Sequence, residues 1–291
     1  MFSQNVTHGM RRLPRQFTLG LALSMSAALV LAGPPEAAPG AAISAAHRAF
    51  PKLTLPDRVY GEQAVAALGG RLPEVAAWYG MSTADFARVL REDSTAWIDR
   101  GGRLFYIEQV PQAAEPYNPT DPLQPALFPL DQTFNLNSRP GSKRVIYLDF
   151  NGHQTTGTAW NAQYGSLITS PPYTADADSA FSEAELQNIQ DMWQQVAEDY
   201  APFDVNVTTQ DPGLAAITRS GTGDEYYGTR VVMTQDNFAA CGCGGFAYLT
   251  AFNDTDDYYK PAFVFNTSLI GAGEAISHEV GHNLGLNHDG L

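Results

Sequence analysis

The chain has 291 residues, enough for one large domain or two smaller domains with a sizeable hydrophobic core. Its composition is acidic, with 17 lysines and arginines against 31 aspartates and glutamates and a formal net charge of −14. This charge argues against nucleic-acid binding, which requires a basic face, and against attraction to anionic membrane surfaces.

The first 32 residues have the pattern of a secretory signal peptide. Three arginines between positions 11 and 15 precede an uncharged apolar stretch over residues 17–32, which ends in small residues. This stretch is short for a transmembrane span, and a Pro/Ala-rich sequence follows it instead of a basic cluster. We therefore predict a signal peptide over residues 1–32, no stable membrane anchor, and a secreted protein that is extracellular or periplasmic.

Residues 33–125 are predicted to form a small α+β N-terminal domain. The segments "LPEVAAWYG" (72–80) and "STADFARVLRED" (82–93) have helical spacing, and "DRGGRLFYIEQV" (99–110) predicts a turn and a strand. This order resembles a LysM-type wall-binding module, although the opening strand of that module is not evident in the sequence. The position before a second domain also suits a propeptide, so both interpretations stay open.

A proline-rich linker is predicted to extend to about residue 140, with a second domain over residues 141–291. In that domain Ser182 and Glu185 have capping-box spacing at the start of a long amphipathic helix, residues 181–200. Strands are predicted near residues 144–150, 203–209, 229–235, 245–252 and 262–266. The order β-α-β-β-β-β-α predicts an α/β fold with one sheet and two long helices.

The last predicted helix, residues 270–284, carries a candidate metal site. His278 and His282 are four positions apart, so both imidazoles project from one helix face. Two neutral imidazoles at this spacing can bind one ion, and Glu279 lies on the adjacent flank, within reach of a metal-bound water.

Gly285 follows this helix directly and allows the left-handed turn that ends a helix. The chain can then double back and bring His288 to the same ion. Three histidine ligands leave a fourth position open, which is the arrangement of catalytic zinc sites.

The motif "HEVGHNLGLNHD" (278–289) resembles the zinc-binding signature of the metzincin metallopeptidases, and Asp289 resembles the reprolysin (adamalysin) branch. The resemblance covers residues 144–291 and implies an upper catalytic subdomain. Its sheet would be mixed and mostly parallel, with an antiparallel edge strand. The implied activity is that of a secreted zinc endopeptidase, with three histidine ligands, Glu279 as the general base, and protein or peptide substrates.

The resemblance also assigns a substrate strand to "GFAYLTAF" (245–252), which would bind an extended peptide by β-augmentation. Its substrate-binding residues would be Gly245, Phe246, Ala247 and Tyr248. Gly285 and Asp289 would support the site from behind the ligands without contacting zinc.

Metzincins continue beyond the third histidine into a turn whose methionine underlies the zinc site. The last methionine here is Met233, and three residues follow His288. We therefore expect the sequence to stop before that turn, as a piece of a longer enzyme, and the S1′ specificity is not readable.

Other features leave alternatives open. The Asp-rich stretches 174–185 and 253–259 would suit Ca²⁺, but neither has EF-hand spacing, and a helix start and a solvated turn are favoured. Cys241 and Cys243 could pair with each other, pair outside the chain, or form no bridge. Nothing indicates the oligomeric state.

The rival function is a non-catalytic exported protein that binds cell wall or glycan and retains a zinc-stabilised protease remnant. The N-terminal region contains no cysteine, so any inhibition by it would be steric or would use another ligand.

Overall fold

The computed structural model describes residues 49–109, 125–174, 180–265 and 269–288. The predicted signal peptide, much of the proline-rich linker and Asp289 lie outside the described residues. The chain from Gly40 onwards clusters as one compact unit. Within the described ranges, no helix is long and apolar enough to cross a membrane.

The N-terminal region contains three short strands and three helices. In chain order they are β1 (Val59–Tyr60), α1 (Gly61–Leu68), α2 (Leu72–Trp78), α3 (Thr83–Glu92), β2 (Ala96–Ile98) and β3 (Leu104–Gln109). Ser82 caps α3 because its side-chain oxygen accepts a hydrogen bond from the Asp85 N–H. The three helices and this sheet segment enclose a core around Phe86 and Leu90, to which Leu249 from the second region also belongs.

The second region contains every strand that its sequence predicts and both long helices. Its elements are β4 (Arg144–Asp149), β5 (His153–Thr155), α4 (Ala159–Tyr164), β6 (Ile168–Ser170), α5 (Glu183–Asp199), β7 (Asn206–Thr208), α6 (Leu214–Ile217), β8 (Tyr227–Met233), β9 (Cys243–Tyr248), β10 (Ala262–Val264) and α7 (Leu269–Leu284). Ser182 and Glu185 form the expected capping box at the start of α5.

Eight strands form one continuous sheet in the order β1-β2-β3-β9-β10-β8-β4-β7. The three pairs from β10 to β7 are parallel, and the four pairs from β1 to β10 are antiparallel. The mixed α/β sheet and the antiparallel direction of β9 are as predicted. The edge position of β9 is not, because β3 pairs with its outer side and extends the sheet.

Part of the predicted linker is also folded. Leu130–Asn135 is a 3₁₀ helix, so residues 125–140 are not simply extended. The Gln190 side chain of α5 donates to Thr133 Oγ1 at 2.8 Å and to the Phe128 carbonyl at 3.1 Å. These bonds fix the segment to α5, a contact that the proline content alone could not indicate.

Two of the three aspartates in residues 253–259 pair with cationic side chains. Asp254 lies 3.0 Å from an Arg103 nitrogen, and Asp257 lies 3.2 Å from Lys260 Nζ. At the start of β9, Cys241 and Cys243 form a disulfide with their Cα atoms 5.1 Å apart.

The packing of α5 on the sheet predicts the effect of a core substitution. Ile189 is fully buried in the cluster between α5, α7 and the sheet. Ile189→Ala should lower the free energy of unfolding by about 2–5 kcal/mol, because it leaves a cavity. Urea denaturation measures this loss. The control Glu198→Ala, exposed on the same helix, should change it by no more than about 0.5 kcal/mol, and equal effects would contradict this packing.

Candidate metal centre

The end of α7 turns the chain back as the sequence predicts. Gly285 has φ +100°, in the region that favours glycine. The Gly285 N–H donates to the His282 carbonyl and the Leu286 N–H donates to the Gly281 carbonyl, both at 2.9 Å. These two bonds form a Schellman motif, and they direct the following residues towards the face of α7 that carries the histidines.

The three predicted ligands converge through their Nε2 atoms. His278 Nε2 lies 2.9 Å from His282 Nε2 and 3.1 Å from His288 Nε2. His282 is buried, whereas the His278 side chain remains 42% exposed. The turn after Gly285 therefore assembles one cluster from all three side chains.

Hydrogen bonds made by the other ring nitrogen, Nδ1, orient two of these imidazoles. His282 Nδ1 lies 2.8 Å from the Leu286 carbonyl, and His288 Nδ1 lies 2.7 Å from Asp93 Oδ2. Because a carbonyl and a carboxylate accept hydrogen bonds, each Nδ1 carries the donated proton. When such a ring is neutral, its Nε2 keeps a lone pair directed at the cluster centre, as metal-binding histidines require.

A fourth ligand-type atom comes from the N-terminal region. Glu108 Oε1, on β3, lies 3.6 Å from His278 Nε2, 3.5 Å from His282 Nε2 and 3.1 Å from His288 Nε2. A tetrahedron whose corners lie about 2.0–2.1 Å from its centre has edges of about 3.3 Å. The three separations from Glu108 and the two measured from His278 Nε2 to the other imidazoles lie on both sides of this value. The four atoms therefore fit tetrahedral zinc.

Glu279 directly follows the first histidine of this cluster on α7. Its side chain is fully buried, and neither carboxylate oxygen has a hydrogen-bond partner among the residues that the structure describes. A Cβ atom added to Gly245 of β9 would lie 2.5 Å from Glu279 Oε1, so only glycine leaves room for this carboxylate. Burial, followed by the charge of Glu108, raises the pKa of Glu279 well above its ordinary value.

The cluster also changes the ionisation of its other members. Burial opposes the charged form of Glu108, but contacts with the three histidines hold its pKa below the usual range. Hydrogen bonds with Asp93 and then Glu108 raise the pKa of His288 to about 10. Burial lowers the pKa of His282. The ionisation of these groups therefore depends on contacts between the N-terminal region and the end of α7.

The predicted substrate strand is present but covered. Gly245, Phe246, Ala247 and Tyr248 are all buried in β9. They pair in antiparallel register with four β3 residues, Glu108, Ile107, Tyr106 and Phe105 respectively. The prediction of an exposed edge is wrong for this chain, because β3 makes the main-chain pairing that a bound peptide would make.

Sequence reasoning missed three site residues, all in the N-terminal region: Asp93, Tyr106 and Glu108. The Tyr106 ring stacks on His282 with centroids 4.2 Å apart, and its hydroxyl donates to Asn287 Oδ1 at 2.9 Å. The period-two alternation of β3 does place Glu108 on the same strand face as Tyr106. That signal shows a charge on an otherwise apolar face, but it does not identify what the charge contacts.

The Asp93–His288 hydrogen bond predicts a change in metal affinity. Asp93→Asn removes the carboxylate charge that orients His288, so the zinc affinity should fall by about 10- to 100-fold. Competition with a chromophoric chelator measures this affinity. The control Glu92→Gln, exposed at the neighbouring position, should leave it unchanged, and equal affinities for all three proteins would contradict the role of Asp93.

Comparison with known proteins agrees with this geometry. Residues 166–289 match the family model described as metallo-peptidase family M12B, reprolysin-like. No curated protein and no solved structure matches the chain. The matched segment contains the three histidines, Glu279 and β9, whereas Glu108 and the rest of β3 precede it. Residues 166–289, a little under half of the chain, are therefore similar to the reprolysin-like M12B metallopeptidases.

Proposed function

We propose that this chain is an exported zinc-dependent endopeptidase that hydrolyses peptide bonds in protein or peptide substrates. His278, His282 and His288 would bind the zinc, and Glu279 would be the general base. The observation that carries the proposal is the buried, unpartnered Glu279 carboxylate beside three converging imidazoles.

The donor set suits zinc. Two of the three imidazoles have Nδ1 hydrogen bonds that leave Nε2 free, and zinc favours nitrogen ligands in tetrahedral sites. Zinc bound there supplies Lewis acidity, which polarises a carbonyl group and makes water a better proton donor near neutral pH. No other cofactor is needed for hydrolysis.

The surroundings of Glu279 support a role in proton transfer. Its carboxylate has no hydrogen-bond partner that would compete for a proton, and burial favours its protonated form after it has accepted one. In the proposed role it accepts a proton from the attacking water and returns it to the leaving amine. Gly245 keeps the space that this carboxylate requires.

Export is supported by the sequence pattern of residues 1–32. In a secreting bacterial host, the chain should appear outside the cytoplasm without those residues. N-terminal sequencing of the exported material measures this. Material that stays in the membrane fraction with its first residues intact would instead indicate an anchor.

Two substitutions separate metal binding from catalysis. Glu279→Gln should keep one zinc per chain and lose hydrolysis by about 10²- to 10⁴-fold, because the general base is removed. His282→Ala should lose both, because a ligand is removed. Zinc content is measured by atomic absorption. Hydrolysis is measured with a fluorogenic casein substrate.

Because β3 covers β9, hydrolysis is measured before and after one cut at a site-specific protease sequence inserted within residues 110–124. The same assay is repeated in the Glu108→Ala background, and a chelator control shows metal dependence. Zinc binding without hydrolysis in all of these forms would reject the peptidase. That result would favour the non-catalytic wall- or glycan-binding protein.

A further inference from the structure

β3 occupies the side of β9 that an extended peptide would need. The two strands run antiparallel, and their register pairs Phe105 with Tyr248 at one end and Glu108 with Gly245 beside the metal centre. A peptide that added to β9 through main-chain hydrogen bonds would have to use this same side, because β10 holds the other. A substrate strand and β3 therefore exclude each other.

Glu108 also takes the position that catalysis would need. Its Oε1 is buried and lies within 3.1–3.6 Å of all three Nε2 atoms. Four protein ligands make a closed zinc site, whereas a catalytic site keeps one position for water or substrate. With Glu108 in place, that position is filled by the chain itself.

A permanently closed structural site does not account for Glu279. A buried carboxylate without a hydrogen bond carries a free-energy cost, and closed zinc sites do not require one. The buried Glu279 carboxylate and the glycine that leaves room for it are what a site that opens to water would need. The carboxylate that must leave is then Glu108, because the histidines share their helix and turn with Glu279.

The N-terminal region contacts the metal centre through several specific interactions. Asp93 binds His288, and Tyr106 stacks on His282. Farther away, Arg103 pairs with Asp254 and the Tyr248 hydroxyl donates to Asp99 Oδ2 at 3.1 Å. These contacts hold β3 in one register, so Glu108 reaches the histidines in a defined position.

We propose that Glu108 is a displaceable fourth ligand of the zinc and that β3 fills the substrate position on β9, so that the chain with residues 49–109 in place is the latent form of the peptidase. This inference rests on the proposed function. Hydrolysis of one peptide bond between β3 and residue 125 would let the N-terminal region leave and open both positions.

Ligand access to the metal tests the fourth ligand without an activity assay. The full chain, Glu108→Gln and the control Glu92→Gln are loaded with Co²⁺ and titrated with acetohydroxamate, and the visible absorption of Co²⁺ is followed. Acetohydroxamate should bind Glu108→Gln at least about tenfold more tightly than the other two proteins, because no carboxylate competes for the position. Near-UV circular dichroism checks that all three are folded, and Glu108→Ala serves as a second variant. Equal acetohydroxamate affinities would overturn the inference.

Hydrolysis by the cut chain then distinguishes latency from the proposed function. Latency requires low hydrolysis in the intact chain and higher hydrolysis after the cut within residues 110–124, with a further gain in Glu108→Ala. Equal hydrolysis before and after the cut would overturn latency while leaving the peptidase assignment intact. An acetohydroxamate difference without hydrolysis in any form would support the Glu108 ligand and reject the peptidase function.

Discussion

The contact of one Glu108 carboxylate oxygen with three imidazoles is the interaction on which the rest of this structure depends. It joins β3 of the N-terminal region to α7 and to His288 after the turn that ends α7, at distances of 3.1–3.6 Å. Burying a carboxylate is unfavourable unless opposite charge or hydrogen-bond donors compensate. The histidines provide that compensation only if β3 keeps its register on β9, so the shared sheet and the site require each other.

The two buried carboxylates, Glu108 and Glu279, explain why the site requires a cation. Glu108 lies on a strand and Glu279 on the helix of the histidines, and burial, followed by the charge of Glu108, raises the pKa of Glu279. Like charges at such a site are tolerated when a cation lies among them. A divalent metal held by the three histidines would relieve this repulsion, stabilise Glu108 as a ligand, and favour the ionised form of Glu279 that can accept a proton.

The sequence predicted features that depend on neighbouring residues, and it missed the long-range contact that completes the site. The spacing of His278 and His282, the turn at Gly285 and the capping box at Ser182 all depend on residues within a few positions, and each is found. The pairing of β3 with β9 joins segments more than a hundred residues apart, and period-two alternation describes a strand without naming its neighbour. Glu108 could therefore be placed on a strand face, but not beside the histidines.

The N-terminal region has no cysteine, so it cannot supply a thiolate ligand to the zinc, but it can supply a carboxylate ligand. Zinc accepts carboxylate oxygen as well as thiolate as a ligand. A single carboxylate oxygen competes with water for the zinc only if other contacts hold it in position. The β3–β9 ladder and the Asp93–His288 bond supply that help, because they hold Glu108 at a high effective concentration beside the metal. Once the chain is cut, rebinding of the separated segment depends on its concentration in solution. The same weak ligand that closes the intact site would then be released by dilution.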